Sequence, residues 1–173
     1  CQARSLVLRD RIALFIKVCA AVEYAHSNLV IHRDLKPVNI LIGASGEPKL
    51  LDFGIAKLLD ADAGKTRAAT ATRAMTLAYA SPEQIEGKRL GTASDIYSLG
   101  IVLYELLAGV RPFDHLDTDH ARSNAIVSGD VAPPSAIQRR LITHARQPAS
   151  TSRIPADLDA IVMKALRREP SQR

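Results

Sequence analysis

The chain has 173 residues, 47% of them hydrophobic, with 23 Lys+Arg against 18 Asp+Glu and a formal net charge of +5. That length and apolar content suit one folded domain with a substantial core and exclude disorder as the default state. The mild positive balance favours anionic ligands such as nucleotides, while dispersed basic residues and an aromatic content of 4% argue against nucleic-acid binding.

Between Arg9 and Ser27 the apolar residues Ile12, Phe15, Ile16, Cys19, Val22 and Ala25 recur at three- and four-residue steps, which predicts an amphipathic helix. "NILI" (39–42) and "KLL" (49–51) flank "GASGEP", a turn-forming stretch, so a short hairpin is expected there. From Ile55 to Met75 the chain is rich in Ala, Thr, Lys and Arg without a period and reads as a long loop. "SPEQIEG" offers Ser81 as an N-cap, Pro82 at the first helical position and Gly87 as a stop.

The strongest helix is expected from about Ser94 to Ala108 with Gly109 behind it, buried on nearly all sides. Val110–Arg153 reads as loop-rich, with a weak helix near Asp119–Val127. A last amphipathic helix is expected from Ala156 to Arg168, with Asp157 and Asp159 at its start as the macrodipole favours. The fold class is therefore mainly α (α+β), with one small hairpin.

Cys1 and Cys19 lie far apart without metal-ligand spacing, which fits a reducing, cytoplasmic setting. The longest apolar run, Ile96–Val110, contains Glu105 and is too short for a comfortable membrane span. No signal peptide is expected, and a first residue other than Met points to a piece of a longer protein, which could be membrane-anchored elsewhere.

The chemistry concentrates in "VIHRDLKPVNIL", Val30–Leu41. Asp34 and Asn39 share a loop with Pro37 between them, and the hairpin can fold Asp52 back beside Asn39. One charged and one neutral oxygen ligand suit Mg²⁺, which keeps phosphates and waters as its other ligands. Asp34 is then free to accept a hydroxyl proton, and Lys36 places a positive charge where phosphate oxygens would lie. Base, cation and metal ligands together are what phosphoryl transfer requires. The plain alternative is a network of Asx turns.

"HRDLKPVN" at 32–39 and "DFG" at 52–54 resemble the catalytic and metal-binding loops of eukaryotic-type Ser/Thr protein kinases, in their bacterial branch. "SPE" (81–83), "SDIYSLG" (94–100), "RPF" (111–113) and "REPSQR" (168–173) follow in the family's order. The resemblance implies ATP and Mg²⁺ as cofactors and a protein substrate with a Ser/Thr acceptor. It implies that Asp34 is the catalytic base, Lys36 contacts phosphate, and Asn39 and Asp52 bind metal. Leu41 would floor the adenine pocket, and His32 and Phe53 would stack in an internal spine. Asp95 would hold the catalytic-loop backbone, and Glu83 and Arg173 would form a buried ion pair.

Lys36 is the Ser/Thr form of its position, and Thr76 fits the threonine that such kinases place beside base and lysine. Leu77-Ala78 departs from the family's commoner Pro-Glu, at the substrate-docking loop. Arg33 would face phosphate on Thr66, Thr70 or Thr72, although an Ala/Thr-rich loop is also simply soluble. His115, His120 and His144 are expected to be solvated and Arg139-Arg140 to form an exposed charged face.

The resemblance makes residues 1–173 a partial kinase domain, the helical C-lobe. No glycine-rich loop or strand lysine precedes Arg9, and the final helix is not expected either. The missing N-lobe is thus an implied partner, its apolar contact face is expected to be exposed, and the fragment alone is expected to be inactive. A pseudokinase or regulatory binding lobe, or a small-molecule phosphotransferase of kinase-like fold, are the alternatives.

Overall fold

Six α-helices and one two-stranded hairpin make up the described residues 6–53, 77–145 and 153–173 of a computed structural model. Helix α1 (Leu8–Ser27) buries Val18, Val22 and Ala25, with Ile12, Phe15 and Cys19 partly covered. Ile16, expected on the buried stripe, is 60% exposed, and Val18 takes its place in the core. The apolar face is rotated because α1 packs on both the hairpin and the central helix. Burial raises the pKa of the Cys19 thiol, and Cys19 is free.

The expected hairpin forms from β1 (Ile40–Ile42) and β2 (Pro48–Leu50), antiparallel with Ile40 opposite Leu50 and Ile42 opposite Pro48. Gly46 turns it at φ +78°, a left-handed conformation that glycine adopts without steric cost. The loop expected over Ile55–Met75 lies outside the described residues. Helix α2 (Pro82–Ile85) then starts behind Ser81, as expected.

Helix α3 (Thr92–Ala108) is the axis of the fold. Tyr97, Ile101, Leu103, Tyr104 and Leu107 are buried in the main core, with Ile126, Ile154, Val162 and Leu166 around them. Leu99 instead faces a second cluster with Val18, Val22 and Leu35. Each fully buried aliphatic side chain contributes on the order of 1.5–3 kcal/mol, so α3 ties both clusters into one body. Gly109 closes it in the left-handed conformation, its N–H donating to the Glu105 carbonyl.

Gly100 marks where α3 meets the last helix, which ends at Ala165. A Cβ there would lie 2.9 Å from both the Ala165 Cβ and the Leu166 Cδ2. Gly100→Val is therefore expected to force the helices apart and cost about 1–3 kcal/mol, read as a lower urea midpoint at unchanged slope.

The region expected to be loop-rich contains two helices, α4 (Asp119–Ser128) and α5 (Pro134–Ala145). The second corrects the sequence reading. Pro133-Pro134 looks like loop punctuation, yet proline is well suited to a first helical turn. A distant residue caps α5: Asp159 accepts from the Ser135 amide at 3.0 Å and from its hydroxyl at 2.5 Å. Helix α6 (Ala156–Ala165) is about one turn shorter than expected, and a 3-10 turn at Pro170–Gln172 follows. No described helix is long and apolar enough to cross a membrane.

Candidate active site

The loop between α1 and β1 is shaped by the burial of His32, Leu35, Lys36 and Asn39. His32 and Leu35 are 1% and 0% exposed, and they anchor the loop from below while Asp34 is left at the surface of the site. Pro37 starts a 3-10 turn that ends at Asn39 and leads straight into β1.

Asp95, near the start of α3, organises this backbone from beneath. Its Oδ2 accepts from the His32 amide and its Oδ1 from the Arg33 amide, both at 2.8 Å. His26 Nε2 lies 2.8 Å from the same Oδ2. The His32 ring lies against Phe53 with centroids 4.6 Å apart. Its Nε2 is 2.9 Å from the Leu51 carbonyl, an acceptor only, so that nitrogen carries the proton.

Asp34 Oδ2 and Lys36 Nζ form an ion pair at 2.8 Å. Asn39 donates through Nδ2 to the Asp34 carbonyl at 2.9 Å and to Asp34 Oδ2 at 3.2 Å. Both partners can only accept, so the amide orientation is fixed and Asn39 Oδ1 faces away from Asp34. The Leu51 amide donates to the Asn39 carbonyl at 2.8 Å. That bond extends the pairing of the hairpin by one step, and Asp52 follows directly in the chain. Asp52 is exposed and left-handed at φ +52°; Arg33, half-buried, is left-handed at +67°. Such conformations cost about 1–3 kcal/mol each and persist only where surrounding contacts impose them.

The donor set is one amide oxygen and one carboxylate. No group of three or more His, Cys, Asp or Glu side chains that could hold a metal occurs among the described residues. Two hard oxygens fit Mg²⁺, which completes its shell with phosphates and water, and do not fit a closed zinc site.

The end of the segment that follows is tied to α3. Arg173 pairs with Glu83 through both guanidinium NH2 groups, at 2.7 and 2.8 Å, with its side chain fully covered. The remaining donors reach the carbonyls of Ala93, Arg168 and Arg167, so all five N–H groups are used. Burial by itself would raise the Glu83 pKa. Hydrogen bonds from Arg173 and Ser94 and the adjacent cation outweigh it and hold the carboxyl below its ordinary value. Arg173 also lies over the Tyr97 ring at 5.0 Å.

Leu41, expected under the adenine ring, is 53% exposed on β1, and Val30, Val38 and Leu51 are exposed with it. Thr66, Thr70, Thr72 and Thr76 lie outside the described residues. Arg33 is described, and its Nε is buried without a hydrogen-bond partner among the described residues. His115, His120, Arg139 and Arg140 are exposed, as expected; the side chain of His144 lies outside the description.

Sequence reasoning missed His26 and Gln84, which touch the site, and the Tyr79–Glu105 contact at the main core. His26 adds the third contact to Asp95, and nothing in its spacing within α1 announces it. Gln84 donates to the Arg33 carbonyl at 2.7 Å. Tyr79 donates to Glu105 at 2.5 Å, and the Arg111 guanidinium covers the Tyr79 ring at 5.5 Å. Burial, followed by the Glu105 contact, pushes the Tyr79 hydroxyl well above its usual pKa. A lone charge inside the apolar run 96–110 was the one available signal, for Glu105.

A family model described as "Protein kinase domain" matches residues 3–173. The serine/threonine-protein kinase PknB of Mycobacterium tuberculosis is 41% identical over 162 residues, 94% of this chain and 24% of that protein. PknB of Mycolicibacterium smegmatis is 41% identical over 165 residues, 95% and 24% of the two chains. A probable serine/threonine-protein kinase of Streptomyces coelicolor is 35% identical over 172 residues, 99% and 23%. The chain thus spans about a quarter of the length of the curated relatives it matches. With the match running along nearly its whole length, the chain belongs to the protein kinase domain family, beside bacterial Ser/Thr kinases.

Proposed function

We infer that this chain is the helical lobe of a kinase that transfers the γ-phosphate of ATP to serine and threonine hydroxyls of proteins. The observation that carries this is the convergence of Asp34, Lys36 and Asn39 on one loop, with the Leu51 amide, one residue before Asp52, bonded to the Asn39 carbonyl. Asp34 orients the acceptor hydroxyl and takes its proton as the new P–O bond forms. Lys36, already 2.8 Å from Asp34, sits where the transferring phosphate and the hydroxyl must meet. Asn39 Oδ1 and the Asp52 carboxylate would hold Mg²⁺, which supplies charge neutralisation for the phosphate oxygens. ADP leaves as the bond to its bridging oxygen breaks.

The exposed apolar residues Val30, Leu41 and Leu51 suit the adenine ring and a second lobe packed above this one, and the isolated chain would be inactive without that lobe. We place the reaction in the cytoplasm, where ATP is available. The Nε of Arg33, buried without a hydrogen-bond partner among the described residues, supports a regulatory role, in which phosphate on Thr66, Thr70 or Thr72 brings about −1.5 to −2 charges to that guanidinium.

The test is transfer from ATP by the full-length protein to a set of serine, threonine and tyrosine acceptors, with phosphosites mapped by mass spectrometry. Label on serine or threonine is expected, as is autophosphorylation at one of the three threonines. Label on tyrosine alone, or none, would overturn the assignment. An active preparation with all three threonines unmodified would remove the regulatory role.

A further inference from the structure

Arg33 holds a left-handed backbone conformation one residue before the proposed base. A residue with a Cβ adopts it only when contacts impose it. Both of its backbone groups are held by side chains from other elements. Its N–H donates to Asp95 Oδ1 at 2.8 Å, and its carbonyl accepts from Gln84 Nε2 at 2.7 Å. That carbonyl belongs to the peptide joining Arg33 to Asp34, so holding its oxygen sets the plane from which Asp34 projects.

The other end of the same amide faces α2. Gln84 Oε1 accepts from the Ser81 amide at 2.9 Å. Its neighbour Glu83 accepts from Ser94 on α3 at 2.7 Å, one residue before Asp95. The contacts therefore close a ring running Asp95, Arg33, Gln84, Glu83, Ser94, with both ends on one turn of α3. In a closed ring neither the base-bearing peptide nor α2 can shift without straining the other.

We propose that Gln84 is a positioning residue for phosphoryl transfer, its amide coupling the seating of α2 to the orientation of the peptide that carries Asp34. This rests on the reading of Asp34 as the base. Residues 77–81 lead directly into α2, so a protein substrate that settles this segment also settles the base, through one side-chain amide.

Two substitutions in the full-length protein separate the two ends of that amide. Gln84→Glu keeps an oxygen for the Ser81 amide but sets a carboxylate oxygen against the Arg33 carbonyl. Gln84→Lys keeps a donor for that carbonyl and loses the acceptor for Ser81. The Glu variant is expected to lose about 10- to 100-fold in kcat, the scale of a misplaced catalytic group. Its KM for ATP should stay within about 2-fold, since nucleotide binding is untouched. Amide exchange at residues 32–35 should quicken in it while Tm holds. The Lys variant should keep more kcat than the Glu variant and lose more Tm. Wild-type kcat and exchange in the Glu variant, or the reverse ranking in kcat, would overturn the proposal. If the unmodified protein transfers no phosphate to serine or threonine, the kinase reading fails by itself. Exchange at 32–35 then still decides the clamp, and an unchanged rate in the Glu variant refutes it.

Discussion

Asp34→Asn in the full-length kinase is expected to lower kcat by about 10²–10⁴-fold, some 2.7–5.4 kcal/mol of barrier, with little change in KM for ATP. The substitution is nearly isosteric, and an amide oxygen can still accept from Asn39 Nδ2, which now lies 3.2 Å from Asp34 Oδ2. What disappears is the ability to take a proton and the negative charge facing Lys36 at 2.8 Å. Asp34 belongs to a loop whose hold on the fold comes from His32, Leu35 and Asp95, and its pair with Lys36 is less covered than that of Glu83 with Arg173, so Tm should fall less than on loss of Glu83. Single-turnover transfer to a peptide acceptor measures the effect on chemistry directly. A near-normal rate would strip Asp34 of the role of base.

The largest stability effect is expected at Glu83. Glu83→Gln leaves the Arg173 guanidinium buried without its counter-charge, and breaking such a pair from one side costs roughly 3–5 kcal/mol. At about 2–4 °C per kcal/mol for a domain of this size, Tm should fall by about 6–20 °C. Arg173→Lys should fare little better, because an ammonium has three donors where the guanidinium uses five.

The pair also has a pH signature. The folded-state pKa of Glu83 lies below its ordinary value of 4.5, so its contribution is complete above that value and is lost as pH falls through the folded value. Thermal melts of wild type and Glu83→Gln should therefore converge as the pH is lowered below about 4.5 and stay separated at neutral pH. A constant gap down to strongly acid pH would show that the carboxylate charge is not what Arg173 needs.

Much of the candidate site was legible because its chemistry is packed into one short stretch. Asp34, Lys36 and Asn39 fall within six residues of each other, and the turn signals of "GASGEP" were enough to place the hairpin that leads to Asp52. Helix α3 was equally plain, since an apolar run with glycine behind it has few other outcomes. Residues that act through distant contacts left no such trace. His26 and Gln84 lie 69 and 51 residues from the groups they bind. No local pattern encodes which carboxylate or carbonyl a lone polar side chain will find. Helix α5 was missed for the same reason, since Asp159 caps it from 24 residues away.

The sequence by itself determined the chemical inventory and the order of the elements other than α5, because residue type fixes the ionisable groups and the hydrogen-bonding capacity, and local periodicity marks helix or strand. Only the tertiary structure decided how that inventory is held. It set Asp95 under the loop backbone, closed the ring through Gln84, used all five donors of Arg173 and turned Ile16 outward in favour of Val18. These outcomes depend on which buried polar groups find partners once helices pack, and that is settled by three-dimensional proximity rather than by spacing along the chain.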